Sequence, residues 1–580
     1  MLDIAIRGGL VVDGSGAPAR RADVGIRAGR IAQVGALDEA AEQQIDADGL
    51  VVAPGFIDPH THYDAQLFWD PFAAPSNQHG VTSVIAGNCG FTLAPLSGSP
   101  ADADYIRRML AVVEGMPLEA LERGLDFAWK GFGDYLARLD GRIGVNAGFL
   151  VGHCALRRSV MGDGATEAAA SAEQIEAMRR LLGESLAAGG LGLSSSRSYT
   201  HDDGEGRPVP SRVARPEELL ALCREVARHP GTSLEYITDG CLKGFRADEI
   251  DFMAELSLAA QRPLNWNVLT IDAKEPERYA QQLAAGSAGA ARGARVVALT
   301  MPVLVRIALS FLTYSPLFRL PGWGEILALP LPERMRQLRD PAVRARMLAG
   351  ARSPDAGVFA RLADFERFEI GETFAPANAG LSGRLVGEIA RERGVAPFDA
   401  LVDAVLEDEL ATVLWPVLPD DDPRSWQLRT QAWDDPHVLI GGSDAGAHLD
   451  RMCGAPYTTA FLADCLRGRK LVSLERAVQL MTEAPAELFG LRDRGSLRAG
   501  ACADVVLFDP ARVGNGPVHF ESDLPGGAKR MTADALGVER VLVNGRTIVQ
   551  QGRATGLLPG TLLRSGRDTR TASLSVPARR

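Results

Sequence analysis

Two histidines spaced i, i+2 follow an apolar run in Pro54-Gly55-Phe56-Ile57-Asp58-Pro59-His60-Thr61-His62. Side chains alternate along an extended strand, so His60 and His62 would share one face and could offer two imidazoles to one metal ion. Two hydrogen-bonded polar residues at a strand end are the other reading, and the spacing alone leaves both open. Cys89 closes a second apolar run, Val84-Ile85-Ala86-Gly87-Asn88-Cys89-Gly90. A thiolate there is a soft ligand that suits zinc, whereas a lone cysteine also serves as a small buried hydrophobe. Asp444 follows a third run, Leu439-Ile440-Gly441-Gly442-Ser443-Asp444. Barrel enzymes keep catalytic acids at such strand ends, and an Asx turn or helix N-cap is the plainer use of the same residue. His153, in Val151-Gly152-His153-Cys154, either lines a pocket at a strand end or is a hydrogen-bonded core histidine. His201 and the acids beside it read as a charged, solvated loop or, since the loop follows a barrel strand, as a cover over the site. His79, His229, His437 and His519 lack any supporting constellation.

The elements that must position these groups fall into two kinds. Residues 2–54 and 497–553 carry short β-branched runs broken by Asp-Gly and Asn-Gly turn signals, which predicts one small β domain built from both termini. Between them, apolar strands such as GVTSVIAGNCG, GGLGLSSS, TSLEYIT, RPLNWNVLT, ARVVALT and HVLIGGSD alternate with helical stretches. About eight such units predict a (β/α)8 barrel. One helix starts near Ser171, where Gln174 completes a capping box. The expected boundaries are 1–54 plus 490–563 for the composite domain and 55–489 for the barrel. An inserted helical segment is expected around 316–365, and a polar, poorly ordered tail over 564–580.

Composition removes other classes. The 580 residues include 62 Lys plus Arg and 73 Asp plus Glu, a formal charge of −11, which argues against a nucleic-acid partner. No apolar run reaches the ~20 residues of a membrane helix, and the first residues lack a signal peptide's basic and apolar regions. Seven scattered cysteines do not suggest a disulfide framework. The expectation is a cytoplasmic protein acting on a small molecule.

Together, VVAPGFIDPHTHYD, GVTSVIAGNCGFTLAP, FLVGHCALR, GGLGLSSS, LIGGSDAGAH, MTEAPAELFGL and DRGSLRAGACADVVLFDP resemble the amidohydrolase superfamily, and within it the N-acyl-D-amino-acid deacylase (D-aminoacylase) group. The segments span nearly the whole chain in family order. The resemblance implies a metal-bearing barrel, a small β-sandwich of both termini, and hydrolysis of an amide by a metal-activated water. It implies that Cys89 is a metal ligand, that Tyr199 touches the substrate, and that an Arg after the Gly-Ser-Asp run, here Arg451, meets the substrate carboxylate.

The sequence departs from that pattern at two strands. The family carries a ligand histidine in each, whereas Thr232-Ser233-Leu234-Glu235-Tyr236-Ile237-Thr238 and Pro263-Leu264-Asn265-Trp266-Asn267-Val268-Leu269-Thr270 carry none. Alignment puts Tyr236 and Val268 at the missing ligands, with Glu235 or Asn267 as further candidates and Thr270 where the family has a substrate-binding Lys. His60, His62, Cys89 and Asp444 remain, enough for one zinc per chain, with Asp444 as general acid and base and Tyr199, His153 and Arg451 toward substrate. The expected activity is hydrolysis of a C–N amide bond in an N-acyl (D-)amino acid or similar molecule. Action on a cyclic amide or another bond, and a ligand-binding role without catalysis, are the alternatives.

Overall fold

The computed structural model describes residues 1–313, 315–416, 418 and 420–575. It divides into two compact units, one of Met1–Val303, Asp422–Leu449 and Cys453–Arg580, the other of Leu304–Asp421 and Asp450–Met452.

In the first unit, eight strands succeed one another in parallel: Phe56–Asp58, Val81–Ala86, Asn146–Phe149 with its continuation Val151–Gly152, Gly192–Ser196, Ser233–Ile237, Leu264–Trp266, Val296–Thr300 and Val438–Ile440. They form two hydrogen-bonded arcs. Strands one to three make the first arc, together with Leu562–Leu563; Val151–Gly152 and strands four to eight make the second. Only Leu150 separates the two segments of strand three. These strands are buried along their length, and they enclose polar side chains such as Ser194, Glu235 and Asn265 together with the apolar ones. Ile57, Ile85, Leu150, Leu191, Val297, Leu299 and Leu439 meet in one apolar cluster, which draws the ends of both arcs together. The side chains of Asp58 and Ser443 add a hydrogen bond between the exits of strands one and eight. Helices fill the crossovers. Ala172–Ala187 begins at the capping box expected from the sequence, with Ser171 Oγ accepting from Gln174 N–H and Gln174 Oε1 from Ser171 N–H.

Both termini enter one nine-stranded sheet. Val51–Pro54 pairs antiparallel with Val505–Phe508, which in turn pairs with Val538–Val543. Asn544 and Gly545 both take positive φ, 48° and 74°, and turn Val538–Val543 into Arg546–Gln550, as the Asn-Gly pair predicts. The tail differs from its expectation. Residues 564–575 pack against the first unit, with Thr569 buried and its hydroxyl donating to the Gly231 carbonyl, because Thr and Arg side chains satisfy exposed carbonyls there. Residues 576–580 lie outside the described ones.

The second unit has its own core, in which Trp323, Phe365 and Phe398 pack ring against ring at 4.8–5.8 Å. Its helices include Leu331–Leu338, Pro341–Ala351, Val386–Arg393 and Pro397–Glu407, so it extends well beyond the segment 316–365.

His79 is a structural histidine with a measurable signature. Its ring is buried, Nδ1 lies 2.6 Å from Thr459 Oγ1, and Nε2 lies 3.0 Å from the Ala533 carbonyl oxygen. Burial pushes its pKa down to about 4, against the Ala533 hydrogen bond and the Asp534 charge, which raise it. The unfolded chain binds a proton near pH 6.5 and the folded one does not. The stability contribution is therefore present above pH 6.5 and lost as pH falls toward 4. Between pH 7 and pH 5 the loss amounts to about 2 kcal/mol. His79→Gln removes that loss, so the Tm gap between wild type and variant should shrink on acidification. A gap that stays constant between pH 7 and pH 5 would show that His79 protonation is not coupled to unfolding.

Candidate metal centre

The three motifs converge just past the ends of their strands. Strand one stops at Asp58, so His60 and His62 sit on the turn that leaves it rather than on the strand itself. Their convergence is imposed by hydrogen bonds, not by strand alternation. His62 N–H donates to the Ala445 carbonyl at 2.7 Å, Asp444 N–H to the His60 carbonyl at 3.3 Å, and Asp58 accepts from His60 N–H. Cys89 lies on the tight turn Asn88–Gly90 with φ 55°, and Asp444 has φ 53°. Non-glycine residues at positive φ are uncommon, and such strain gathers at functional sites.

His60, His62 and Cys89 are buried, and their ligand atoms all lie within 4.8 Å of one another. Cys89 Sγ is 3.6 Å from His60 Nε2. Asp444 Oδ1 is 3.3 Å from His60 Nε2 and 3.8 Å from His62 Nε2, and its side chain is 33% exposed where the two rings are nearly sealed. Bonds of ~2.0–2.3 Å in a tetrahedron place neighbouring donors roughly 3.3–3.8 Å apart. The donor spacing therefore suits one small divalent cation.

The electrostatics agree. Burial pushes His60 down to about 3 and His62 well below the usual imidazole value, so both rings are neutral, the form that ligates a metal. Burial, reinforced by neighbouring carboxylates, pushes Cys89, Glu114 and Glu235 well up, and burial, then the Asp58 charge, raises Asp444 to about 7. Among the described residues no Lys or Arg salt bridge reaches Glu114, Glu235 or Asp444; the ion pairs of Glu114 and Asp444 are with these histidines. A cluster of acids without a protein cation can ionise together when a divalent ion joins it.

An amidohydrolase-family profile matches residues 43–549. The chain belongs to the amidohydrolase family. D-aminoacylase of Alcaligenes xylosoxydans xylosoxydans is 31% identical over 565 residues, 97% of either chain. N-acyl-D-glutamate deacylase of the same organism is 31% identical over 580 residues, 97% of this chain and 96% of that one. Among solved structures, N-acyl-D-glutamate deacylase from Bordetella bronchiseptica, complexed with zinc and a phosphonate mimic of the tetrahedral intermediate, matches with a TM-score of 0.62 at 25% identity, covering 97% of this chain and 100% of that one. The chain shares the amidohydrolase fold with these proteins, and zinc is what the Bordetella enzyme is complexed with.

Beside Cys89 the side-chain contacts come from the further candidates Glu235 and Asn267, one residue before the aligned Tyr236 and Val268. Glu235 Oε2 accepts from Cys89 N–H at 2.8 Å while its Oε1 is buried without a partner, and Asn267 Nδ2 lies 3.7 Å from Sγ. Strand alternation explains the one-residue offset: Glu235 shares a face with Ile237, and Tyr236 turns the other way to pack on Phe252. His153 is fully buried, with Nδ1 2.9 Å from Ser195 Oγ and Nε2 2.9 Å from Glu218 Oε1, which also pairs with Arg157. The adjacent Ser196 points the opposite way, to His201, so alternation puts His153 on the helix side of strand four, away from the metal donors. Tyr199 follows strand four, its N–H donating to Asp239 at 2.6 Å and its ring under Lys243 Nζ at 3.6 Å. Arg451 belongs to the second unit and pairs with Asp450 there.

Two residues near the donors were not singled out for the site from sequence. His201 packs at a tilt against Phe91, with ring centroids 5.2 Å apart, and its ring lies close enough to act on His62 electrostatically. Glu114 Oε2 lies 3.5 Å from His62 Nε2.

Proposed function

We propose that the chain is a metal-dependent hydrolase of the C–N amide bond of an N-acyl amino acid, with the D-configured substrates of its named relatives as the first class to test. The convergence of His60, His62 and Cys89 beside Asp444 carries the reading. The two parallel arcs are read as one closed (β/α)8 barrel and the terminal sheet as a β-sandwich, the arrangement that leaves strand exits clustered at one end. His60, His62, Cys89 and Asp444 would hold one zinc. Such an ion lowers the pKa of a water toward ~7 and polarises the amide carbonyl. Neutral imidazoles at His60 and His62 fix the position of the reacting centre. Asp444, the most open of the four, takes the proton of the attacking water on its carboxylate and returns it to the leaving nitrogen. Tyr199, just beyond strand four, is a proposed substrate contact. Seven unpaired cysteines support a reducing, cytoplasmic setting, and no helix among the described residues is long and apolar enough to cross a membrane.

The test is elemental analysis of the purified chain, followed by amine release from a panel of N-acyl D- and L-amino acids. One zinc per chain with hydrolysis of at least one D-substrate is expected. A metal-free chain, or a metal-replete one inert toward the whole panel, would overturn the assignment.

A further inference from the structure

The donor set described above leaves one nearby acid without a role. Glu114 caps the C-terminal end of the helix Pro100–Val113, its N–H donating to the Leu110 carbonyl. That is the negative end of the helix dipole, where a carboxylate is disfavoured. The side chain is 4% exposed, so water does not relieve the conflict. No Lys or Arg salt bridge relieves it among the described residues; the group its carboxylate meets is the neutral ring of His62, 3.5 Å from Oε2 to Nε2. To be ionised in that position, a buried carboxylate needs a cation. The segment is also fastened to the centre, because His448 N–H donates to the Glu114 backbone carbonyl at 2.5 Å, four residues beyond Asp444.

Distance separates two uses of this carboxylate. A charge-assisted hydrogen bond between an imidazole N–H and a carboxylate is ~2.7–2.9 Å long. Two donors sharing one ion lie roughly 3.3–3.8 Å apart. The 3.5 Å spacing falls in the second range, together with 3.3 Å for His60 to Asp444 and 3.6 Å for His60 to Cys89. On the other side of Cys89 residues 232–238 and 263–270 hold no histidine, Glu235 spends one oxygen on the Cys89 amide, and Asn267 is a weak ligand.

We propose that Glu114 is a protein ligand of the divalent ion held by His60 and His62, supplying through Oε2 an anionic donor from the helix that follows strand two. The inference rests on the metal-centre reading above. It makes the centre richer in oxygen than one of two imidazoles and a thiolate.

Wild type, Glu114→Gln and Glu114→Asp, each loaded with Co2+, test it. Metal affinity is read by competition with a chelator and coordination by the visible d–d absorption, neither of which needs a substrate. Gln keeps the shape and hydrogen bonding of Glu but not its charge, and Asp keeps the charge but shortens the reach. Both should weaken Co2+ at least ~10-fold, the low end of what even an outer partner of a ligand contributes. Both should also shift the cobalt bands while the circular dichroism stays that of wild type. Wild-type affinity and bands in a folded Glu114→Gln would overturn the assignment of Glu114 and leave the metal centre standing. A wild type that binds no Co2+ would remove both.

Discussion

Asp444→Asn is expected to lower turnover at least ~10²-fold, the low end of general acid–base contributions, with little change in folding. An amide nitrogen departs poorly as an anion, so the reaction needs one group that accepts the water proton and then delivers it. Asn retains the size of Asp444 and its place at φ 53°, and the backbone bond from residue 444 to the His60 carbonyl involves no side chain. What it loses is the proton site 3.3 Å from His60 Nε2. Among the neighbouring acids, Asp58 is committed to Ser443 and to the His60 amide, Asp64 and Glu235 each spend one oxygen on a backbone amide, and Glu114 meets His62 rather than His60. Because Asp444 is also a proposed ligand, turnover and metal content must come from one preparation. Near-wild-type turnover in a metal-replete Asp444→Asn chain would take Asp444 out of the mechanism.

Local spacing marked His60, His62, Cys89 and Asp444 as residues that close apolar runs, and the family resemblance was needed to join them into one site. Glu114 was not legible in that way. It belongs to a helix end 25 positions after Cys89 along the chain, and no periodicity ties it to a strand. Its one sequence signal was a conflict, a carboxylate at the end of a helix where the dipole repels it. His201 was hidden for a different reason. Its neighbours Asp202, Asp203, Gly204 and Glu205 have the composition of a solvated loop, yet Asp203 and Ser196 fold the loop back and bring the ring against Phe91. At strand five the contact with Cys89 falls on Glu235, one residue before the aligned Tyr236, and a one-residue step along a strand turns a side chain to the opposite face. The second unit's extent was illegible because its two short strands, Glu369–Ile370 and Leu414–Trp415, pair across 43 intervening residues.

Chelation is expected to abolish hydrolysis and leave the fold cooperative. The ion would sit at the ends of strands already fixed by other forces. The apolar cluster of Ile57, Ile85, Leu150, Val297, Leu299 and Leu439 contains none of the proposed ligands. The turns that carry those ligands are joined directly, by His62 N–H to the Ala445 carbonyl and by Asp58 to Ser443. Removing a divalent cation would leave Cys89, Glu114, Glu235 and Asp444 repelling one another if they stayed ionised. Burial instead holds their pKa values up, so they take protons and the repulsion is discharged. A zinc finger unfolds without its metal because it has no other core, and a chain of this length does. Far-ultraviolet dichroism of the chelated protein should match the holoprotein. Tm should fall by only the linkage term for a ligand that binds the native state, and zinc should restore both Tm and turnover. Loss of the dichroism signal at room temperature on chelation would show that the ion, rather than the strand-end hydrogen bonds, holds these turns together.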